Sequence, residues 1–192
     1  MEDRQQIVLR RTQKDTVTKK DILWKLAYLV IAGGVFMIDQ TTKAWAVRRL
    51  RFGEDFPVIS GFLNFAYAQN TGVAFSMLDD HGDSGRWGLS IVAIIAGALV
   101  LYFFWRTPRS DDRIMGALAL LLAGIVGNVV DRIRLGFVVD FIDVQFGSWH
   151  YPTFNVADMA IVMGAGLLII DMFLSKRKQK AVVSSQKSEA SI

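Results

Sequence analysis

The sequence predicts an α-helical integral membrane protein with four transmembrane helices, a small β-sheet and loops outside the membrane. Hydrophobic residues make up 52% of the 192 residues, and only three residues are proline. Four segments are apolar over lengths close to the roughly 20 residues that a bilayer core requires. The longest connection contains short β-branched and aromatic runs separated by glycine, a pattern typical of strands.

The four spans are predicted within one four-span domain, residues 21–174. They cover residues 22–38, 88–105, 114–130 and 156–174. A basic N-terminal extension, 1–20, precedes the domain, and a basic tail, 175–192, follows it.

The first span carries charged residues near both of its ends. Lys25 lies near the start, where a long side chain is expected to reach the membrane interface. The helix is expected to continue through residues 39–47. Asp39 and Lys43 then lie one turn apart on one helix face.

Two long connections, 39–87 and 131–155, are predicted to carry the sheet. Alternation and glycine punctuation predict strands at 56–61, 63–68 and 136–146. Successive side chains of a strand point to opposite faces. Asp140 and Asp143 are therefore expected to have different roles.

The distribution of basic residues predicts the orientation. Of the 22 lysine and arginine residues, fourteen lie before the first span, in the short second connection or in the tail. Because cytoplasmic segments are rich in lysine and arginine, both termini are expected in the cytoplasm and both long connections in the periplasm. The net charge of +4 thus reflects topology and gives little support to nucleic-acid binding. The polar first 20 residues argue against a removable secretory signal.

Residue types exclude several kinds of chemistry. Cysteine is absent, and His81 and His150 are the two histidines. The lack of cysteine excludes disulfides, thiolate metal sites and cysteine nucleophiles. Two histidines make a poor three-ligand zinc site, so no metal or cofactor is expected. A Ser-His-Asp arrangement stays formally open, but the Gly-x-Ser-x-Gly turn of a nucleophilic serine is missing. The serines on the same side as both histidines are Ser60, Ser76, Ser84 and Ser148.

Asp140 and Asp158 flank the start of the last span. A carboxylate at the edge of the hydrocarbon is costly, so such a residue indicates a functional site. Two carboxylates held close share one proton, which suits acid/base hydrolysis by an activated water. Asp171 lies about 20 Å further along the helix at roughly 1.5 Å per residue and belongs to the other interface.

Polar residues near the two aspartates are further candidates. Asn128 and Arg132 are four residues apart and share a helix face. Gly124 and Gly127 allow a helix or substrate to approach the backbone, although ordinary helix packing is an alternative. Asn155 is placed to cap the last helix, whose dipole favours an anionic carboxylate in the first turn.

A polar stretch containing Asn70 and Gly72 follows the first two predicted strands. Both residue types suit turn conformations. A tight turn is therefore the alternative to a functional role for this stretch.

Five motifs in order resemble those of the lipoprotein signal peptidase family, also called signal peptidase II. The resemblance covers residues 22–174. The motifs are Asp39-Gln-x-x-Lys43, Asn70-Thr-Gly72-x-Ala74-Phe75, Gly127-Asn128-x-x-Asp131-Arg132, Val139-Asp140-Phe141 and Phe154-Asn155-x-Ala157-Asp158. One departure is Ala123-Gly124, where the family often has paired glycines.

The resemblance implies an aspartyl peptidase of the bacterial cytoplasmic (inner) membrane, with its active site on the periplasmic side. It implies removal of the signal peptide from diacylglyceryl-modified prolipoproteins by cleavage on the amino side of the modified cysteine. Asp140 and Asp158 are implied as the catalytic dyad. The implied substrate-binding or supporting residues are Asp39, Lys43, Asn70, Gly72, Ala74, Phe75, Gly124, Asn128, Arg132 and Asn155. Membrane lipid and inhibitors of the globomycin type are implied as further partners.

Two other functions stay open. A proton or ion carrier would use Asp39, Lys43, Asp140 and Asp158 as a relay, because intramembrane carboxylates also mark such paths. Two observations argue against a carrier. The acidic residues cluster near one face of the membrane, and the sequence shows no internal repeat of the kind that transporters contain. A structural membrane scaffold is the other alternative.

Overall fold

The computed structural model describes residues 18–72 and 83–189. The elements in chain order are α1 (Lys19–Arg49), β1 (Asp55–Ile59), β2 (Leu63–Asn70), α2 (Asp83–Arg106), α3 (Asp112–Leu135), β3 (Val138–Phe146), β4 (Trp149–His150) and α4 (Val156–Glu189). Ala74 and Phe75, two of the predicted site residues, lie outside the described residues.

Each of the four helices contains a window long and apolar enough to cross a membrane, with mean hydropathies of 1.7, 2.2, 2.0 and 2.0 in chain order. Each predicted span lies within one of these helices, and the predicted fold class is confirmed. α1 runs to Arg49 and includes the expected extension over residues 39–47. α4 continues past residue 174 to Glu189, because lysine, glutamine and alanine in this stretch favour helix.

The central helix is α3, which packs against the other three. Half of its apolar window is buried, compared with 11% in α1, 11% in α2 and 17% in α4. A Cβ on Gly124 would lie only 2.3 Å from the Ala157 carbonyl oxygen, and one on Gly164 would lie 2.8 Å from that of Ala117. Glycine permits this close backbone contact, which brings the end of α3 beside the start of α4.

The four strands form one antiparallel sheet in the order β1-β2-β3-β4. The three longer strands overlap the segments in which strands are predicted. Aromatic rings join the sheet to the last turns of α1. Trp45 lies edge-on to Phe65 and Phe141, with ring centroids 5.2 and 6.3 Å apart. Such ring pairs add to the stability gained from burial and fix β3 against α1.

The side chain of Lys25, which is expected to reach the membrane interface, packs against the end of α2. This side chain is buried, its ammonium donates to the Trp105 carbonyl oxygen, and it lies 5.4 Å from the centroid of the Trp105 ring. Carbonyl groups at the end of a helix lack partners within the helix, so Lys25 satisfies one at the end of α2. Nearby, Trp24 Nε1 donates a hydrogen bond to Asp112 Oδ1 at 2.8 Å. These contacts define the end of the molecule opposite the sheet.

Candidate active site

The predicted site residues converge where the sheet meets the helices. β3 supplies Asp140, and the first turn of α4 supplies Asp158. α3 supplies Asn128 near its end, and the extended part of α1 supplies Lys43. Elements distant in the chain therefore contribute to one cluster of polar side chains.

Asp140 is almost completely buried, with 2% of its surface exposed. Its two carboxylate oxygens accept hydrogen bonds from the side-chain amides of Asn70, at 3.0 Å, and Asn155, at 2.6 Å. Burial raises the pKa of Asp140 to about 6, and the negative charge of Asp158 adds to this effect. The two amide hydrogen bonds and the charge of Lys43 oppose it and lower the pKa.

Asp158 is half-buried and lies at the start of α4. Its backbone N–H donates to Asn155 Oδ1 at 3.0 Å, and its Oδ2 accepts from the Asn155 backbone N–H at 3.2 Å. This reciprocal pair is a capping box, which satisfies free amides at the helix start. The other oxygen, Oδ1, accepts from Asn128 Nδ2 at 2.7 Å.

Asn155 is fully buried and joins the two aspartates. Its side-chain amide donates to Asp140, while its backbone N–H donates to Asp158. The same Nδ2 also donates to Asn128 Oδ1 at 3.2 Å. The two carboxylates thus belong to one hydrogen-bonded unit.

A buried ion cluster lies behind this unit. Lys43 Nζ is 2.9 Å from Asp39 Oδ2 and 2.9 Å from Asp131 Oδ2, and it donates to Asn128 Oδ1 at 3.0 Å. Gln40 Nε2 donates to both carboxylates at 3.1 Å. Buried charges are tolerated when they are paired and hydrogen-bonded, and this cluster meets that condition.

Of the ten predicted site residues that the structure describes, seven are joined by hydrogen bonds and ion pairs between their side chains. They are Asp39, Lys43, Asn70, Asn128, Asp140, Asn155 and Asp158. Arg132 is half-buried, and its positive charge interacts with Asp131, Asp140 and Asp158.

The glycines among the predicted site residues have structural roles. Gly72 has a φ of +78° and donates its N–H to Asn70 Oδ1 at 3.0 Å. This contact holds Asn70, whose Nδ2 donates to Asp140; the rest of the predicted turn lies outside the described residues. Gly124 contacts the backbone of α4 rather than the polar cluster.

Two residues in the ion cluster, Asp131 and Gln40, are missing from the predicted site. Both lie inside quoted motifs, and Asp131 shares a helix face with Asn128 three residues earlier. This spacing is the feature of the sequence that could have identified Asp131 as a site residue. Asp131 lies on α3, whereas its partners Lys43 and Gln40 lie on α1, so these contacts depend on how α1 and α3 pack.

Asp143 lies apart from the candidate site, as strand alternation predicts. Its carboxylate accepts from Asn64 Nδ2 at 2.9 Å and lies 2.9 Å from His150 Nδ1. These contacts join β2, β3 and β4. Asp140 and Asp143 therefore have different partners in the same strand.

An apolar cavity of about 330 Å³ borders Asp158. The cavity is lined by Tyr151, Phe154, Asp158, Met159, Val162 and Met163. Met159, Val162 and Met163 are exposed on α4. The cavity therefore leads from an apolar helix face to one of the two carboxylates.

The fold and the site define a multi-pass membrane protein with two linked carboxylates at one end of its helices. A family model described as signal peptidase (SPase) II matches residues 30–174. The chain therefore belongs to the signal peptidase II family, and it is a membrane-spanning peptidase.

Individual relatives agree with this assignment. The lipoprotein signal peptidase of Syntrophus aciditrophicus is 42% identical over 158 residues, which cover 81% of this chain and 97% of that protein. That of Psychromonas ingrahamii is 39% identical over 152 residues, covering 79% and 87%. A solved structure of a bacterial membrane enzyme is similar with a TM-score of 0.69 and 35% identity, covering 76% of this chain and 92% of that one.

Proposed function

We propose that this protein is an aspartyl endopeptidase that removes the signal peptide from diacylglyceryl-modified prolipoproteins. Asp140 and Asp158 are its catalytic residues, and cleavage occurs on the amino side of the lipid-modified cysteine. The main support for the proposal is the link through Asn155. Its side-chain amide donates to Asp140 at 2.6 Å, and its backbone N–H donates to Asp158 at 3.2 Å. Linked carboxylates of this kind can share a proton and activate water.

The proposed substrate is supported by the family and by the apolar cavity. Relatives that match over most of their length are lipoprotein signal peptidases. The cavity of about 330 Å³ beside Asp158 is lined mainly by apolar side chains, which suit a hydrophobic signal segment or an acyl chain. Inhibitors of the globomycin type are proposed to bind at the same site.

Asp140 is the proposed acid of the dyad, and Asp158 is the proposed base. Asp140 is the more buried, and burial disfavours its ionised form. Asp158 lies in the first turn of α4, where the helix dipole favours a negative charge. Although a coupled pair titrates as a unit, these environments favour the shared proton on Asp140.

In the proposed reaction, Asp158 takes a proton from water while the oxygen of that water attacks the scissile carbonyl carbon. Asp140 donates its proton to the carbonyl oxygen, which gives a gem-diol. The C–N bond then breaks, the leaving amine takes the proton held by Asp158, and one gem-diol hydroxyl returns its proton to Asp140. The dyad is restored, and no metal or cofactor takes part.

The surrounding residues are proposed to support this reaction. Asn128 holds Asp158 through a 2.7 Å hydrogen bond, and Asn70 holds Asp140. Arg132 adds positive charge beside the two aspartates. We further propose that residues 21–174 form the peptidase domain in the inner membrane, with the site on the periplasmic side and both basic termini in the cytoplasm.

A proton relay is less well supported than the peptidase. Its proposed members all lie at the sheet end, whereas Asp171 in α4 pairs with Arg113 at 3.4 Å near the opposite end. Between these two ends, residues 22–38, 88–105, 114–130 and 159–170 contain no aspartate or glutamate that could form a chain. Such a chain is expected of a proton path across the bilayer.

Single substitutions test the proposal. Asp140→Asn and Asp158→Asn are expected to lose nearly all release of signal peptide from a purified diacylglyceryl-modified prolipoprotein, because each removes one carboxyl of the dyad. Asp143→Asn is the matched control, since this residue lies in the same strand and is similarly buried with its own partners. It is expected to keep most of the activity.

Two outcomes would contradict the proposal. Retained cleavage by Asp140→Asn or Asp158→Asn would exclude the dyad. Equal cleavage rates for the same precursor with and without its lipid would exclude lipid-dependent recognition. Proton flux in vesicles that carry the unsubstituted protein, if Asp140→Asn or Asp158→Asn abolishes it, would favour the relay instead.

A further inference from the structure

A second pair of buried carboxylates, Asp39 and Asp131, binds the backbone beside the proposed catalytic pair. Asp39 Oδ1 accepts from the Ala157 N–H at 2.8 Å, and Asp131 Oδ2 accepts from the Val139 N–H at 3.3 Å. Ala157 immediately precedes Asp158, and Val139 immediately precedes Asp140. Each member of the second pair thus holds the backbone N–H of the residue that precedes one member of the first pair.

We propose that Asp39 and Asp131 are positioning residues that fix the spacing of the catalytic aspartates, with Lys43 as the cation that joins them. This inference rests on the proposed function and assigns a role to Asp131, which the sequence motifs leave without one. The two catalytic residues lie on β3 and α4, which are separate elements. A common anchor is needed because a displacement of roughly 1 Å at a reacting group can cost on the order of 100-fold in rate.

Lys43 supplies this common anchor. Its ammonium is 2.9 Å from a carboxylate oxygen of both Asp39 and Asp131. Two buried carboxylates repel each other unless a cation lies between them. The ammonium therefore offsets the repulsion between the two carboxylates while both accept hydrogen bonds from the backbone.

Lys43 also fixes the orientation of Asn128. Asn128 Oδ1 accepts from Lys43 Nζ at 3.0 Å and from Asn155 Nδ2 at 3.2 Å. With its oxygen held by two donors, the amide must turn its NH₂ group toward Asp158, where it donates at 2.7 Å. The cluster thus acts on Asp158 through both the backbone and a side chain.

The packing around Asp39 leaves little space for another arrangement. Asp39 is fully buried. A Cβ on Gly127 would lie 2.6 Å from Asp39 Oδ2 and 3.2 Å from the Ala157 Cβ. Glycine at this position therefore makes room for the carboxylate to cross from α1 to α4.

Substitution of Asp131 tests the inference. Asp131→Ala is expected to lower kcat for a diacylglyceryl-modified prolipoprotein on the order of 100-fold, with KM unchanged, because the residue does not contact substrate in this proposal. Asp131→Asn keeps an oxygen that can accept from Val139 and is expected to restore part of kcat. A role in substrate binding would instead raise KM.

Amide hydrogen exchange measured by NMR in detergent micelles gives a second readout. In Asp131→Ala the Val139 amide is expected to exchange faster, while the Ala157 amide keeps its rate. Asp39→Ala is expected to show the reverse. Loss of fold would instead speed both amides and lower the melting temperature.

The kcat values of Asp143→Asn and Asp140→Asn are the references for interpreting Asp131→Ala. A normal kcat in folded Asp131→Ala, or a loss of kcat no larger than in Asp143→Asn, would overturn the positioning role. If Asp131→Ala does not fold, the same criteria apply to Asp131→Asn. Failure of the proposed function is a separate result, since it would appear as cleavage by Asp140→Asn.

Discussion

The carboxyl group of Asp140 is buried but ionisable, and two amide donors offset only part of the cost of its burial. Its pKa of about 6 lies above the ordinary value of 3.8. Between these values the folded protein holds a proton that the unfolded chain releases. Folding is therefore stabilised at low pH, and this stabilisation is lost as the pH rises through about 6.

A pH titration of stability tests this residue. From about pH 4 to about pH 7, the melting temperature in detergent is expected to contain a falling component that Asp140→Asn removes. The shift corresponds to at most about 3 kcal/mol, at roughly 1.4 kcal/mol per pKa unit. Asp143→Asn is expected to keep the component. An unchanged pH dependence in Asp140→Asn would contradict the assignment.

Single residues also show where sequence reasoning reaches its limit. Asp140, Asp158 and Asn155 stand out in sequence because acids and amides are rare beside apolar spans. Asp131 does not stand out in the sequence, because it precedes Arg132 at the end of a helix and resembles an ordinary charged residue at the membrane interface. Its role depends on Lys43, 88 positions earlier in the sequence, and this contact forms only when α1 packs on α3.

At the scale of elements, the spans and longer strands follow from local patterns. Apolar length predicts the helices, and alternation with glycine punctuation predicts the strands. The bond from Lys25 to the Trp105 carbonyl oxygen at the end of α2 does not follow from such patterns. This contact depends on the packing of α1 against α2, which local sequence patterns do not describe.

Glycines in α3 provide a test of how this helix meets α4. Gly124→Ala would place a Cβ 2.3 Å from the Ala157 carbonyl oxygen. Overpacking of this kind costs about 1–3 kcal/mol. We therefore expect a lower melting temperature in detergent and a lower kcat, because movement of Ala157 displaces the adjacent Asp158.

Gly116→Ala is the matched control in the same helix. Its Cβ would lie 3.8 Å from the nearest atom, Tyr28 Cε1, which is an ordinary contact. Alanine is favoured over glycine within a helix by about 1 kcal/mol, so the melting temperature is expected to rise or stay unchanged. Equal effects of the two substitutions would contradict the close contact of α3 with α4.

At the scale of the whole molecule, the two ends differ in chemistry. The sheet end holds the ion cluster and both proposed catalytic aspartates. The opposite end holds the contacts of Lys25, Trp24 and Arg113. Between the ends, α1, α2 and α4 expose most of their apolar windows, as helices in contact with lipid do. Basic residues predict which end faces the cytoplasm, because positive charge accumulates there.

The absence of cysteine in the chain allows this orientation to be tested without background labelling. Ser60 is exposed in the turn between β1 and β2, and Ser110 is exposed between α2 and α3. In intact spheroplasts, a membrane-impermeant maleimide is expected to label Ser60→Cys, whereas Ser110→Cys is expected to react only after permeabilisation. Both variants should retain peptidase activity, which verifies their fold. The reverse labelling pattern would place the aspartates on the cytoplasmic side, where water would have to reach the dyad from the opposite face.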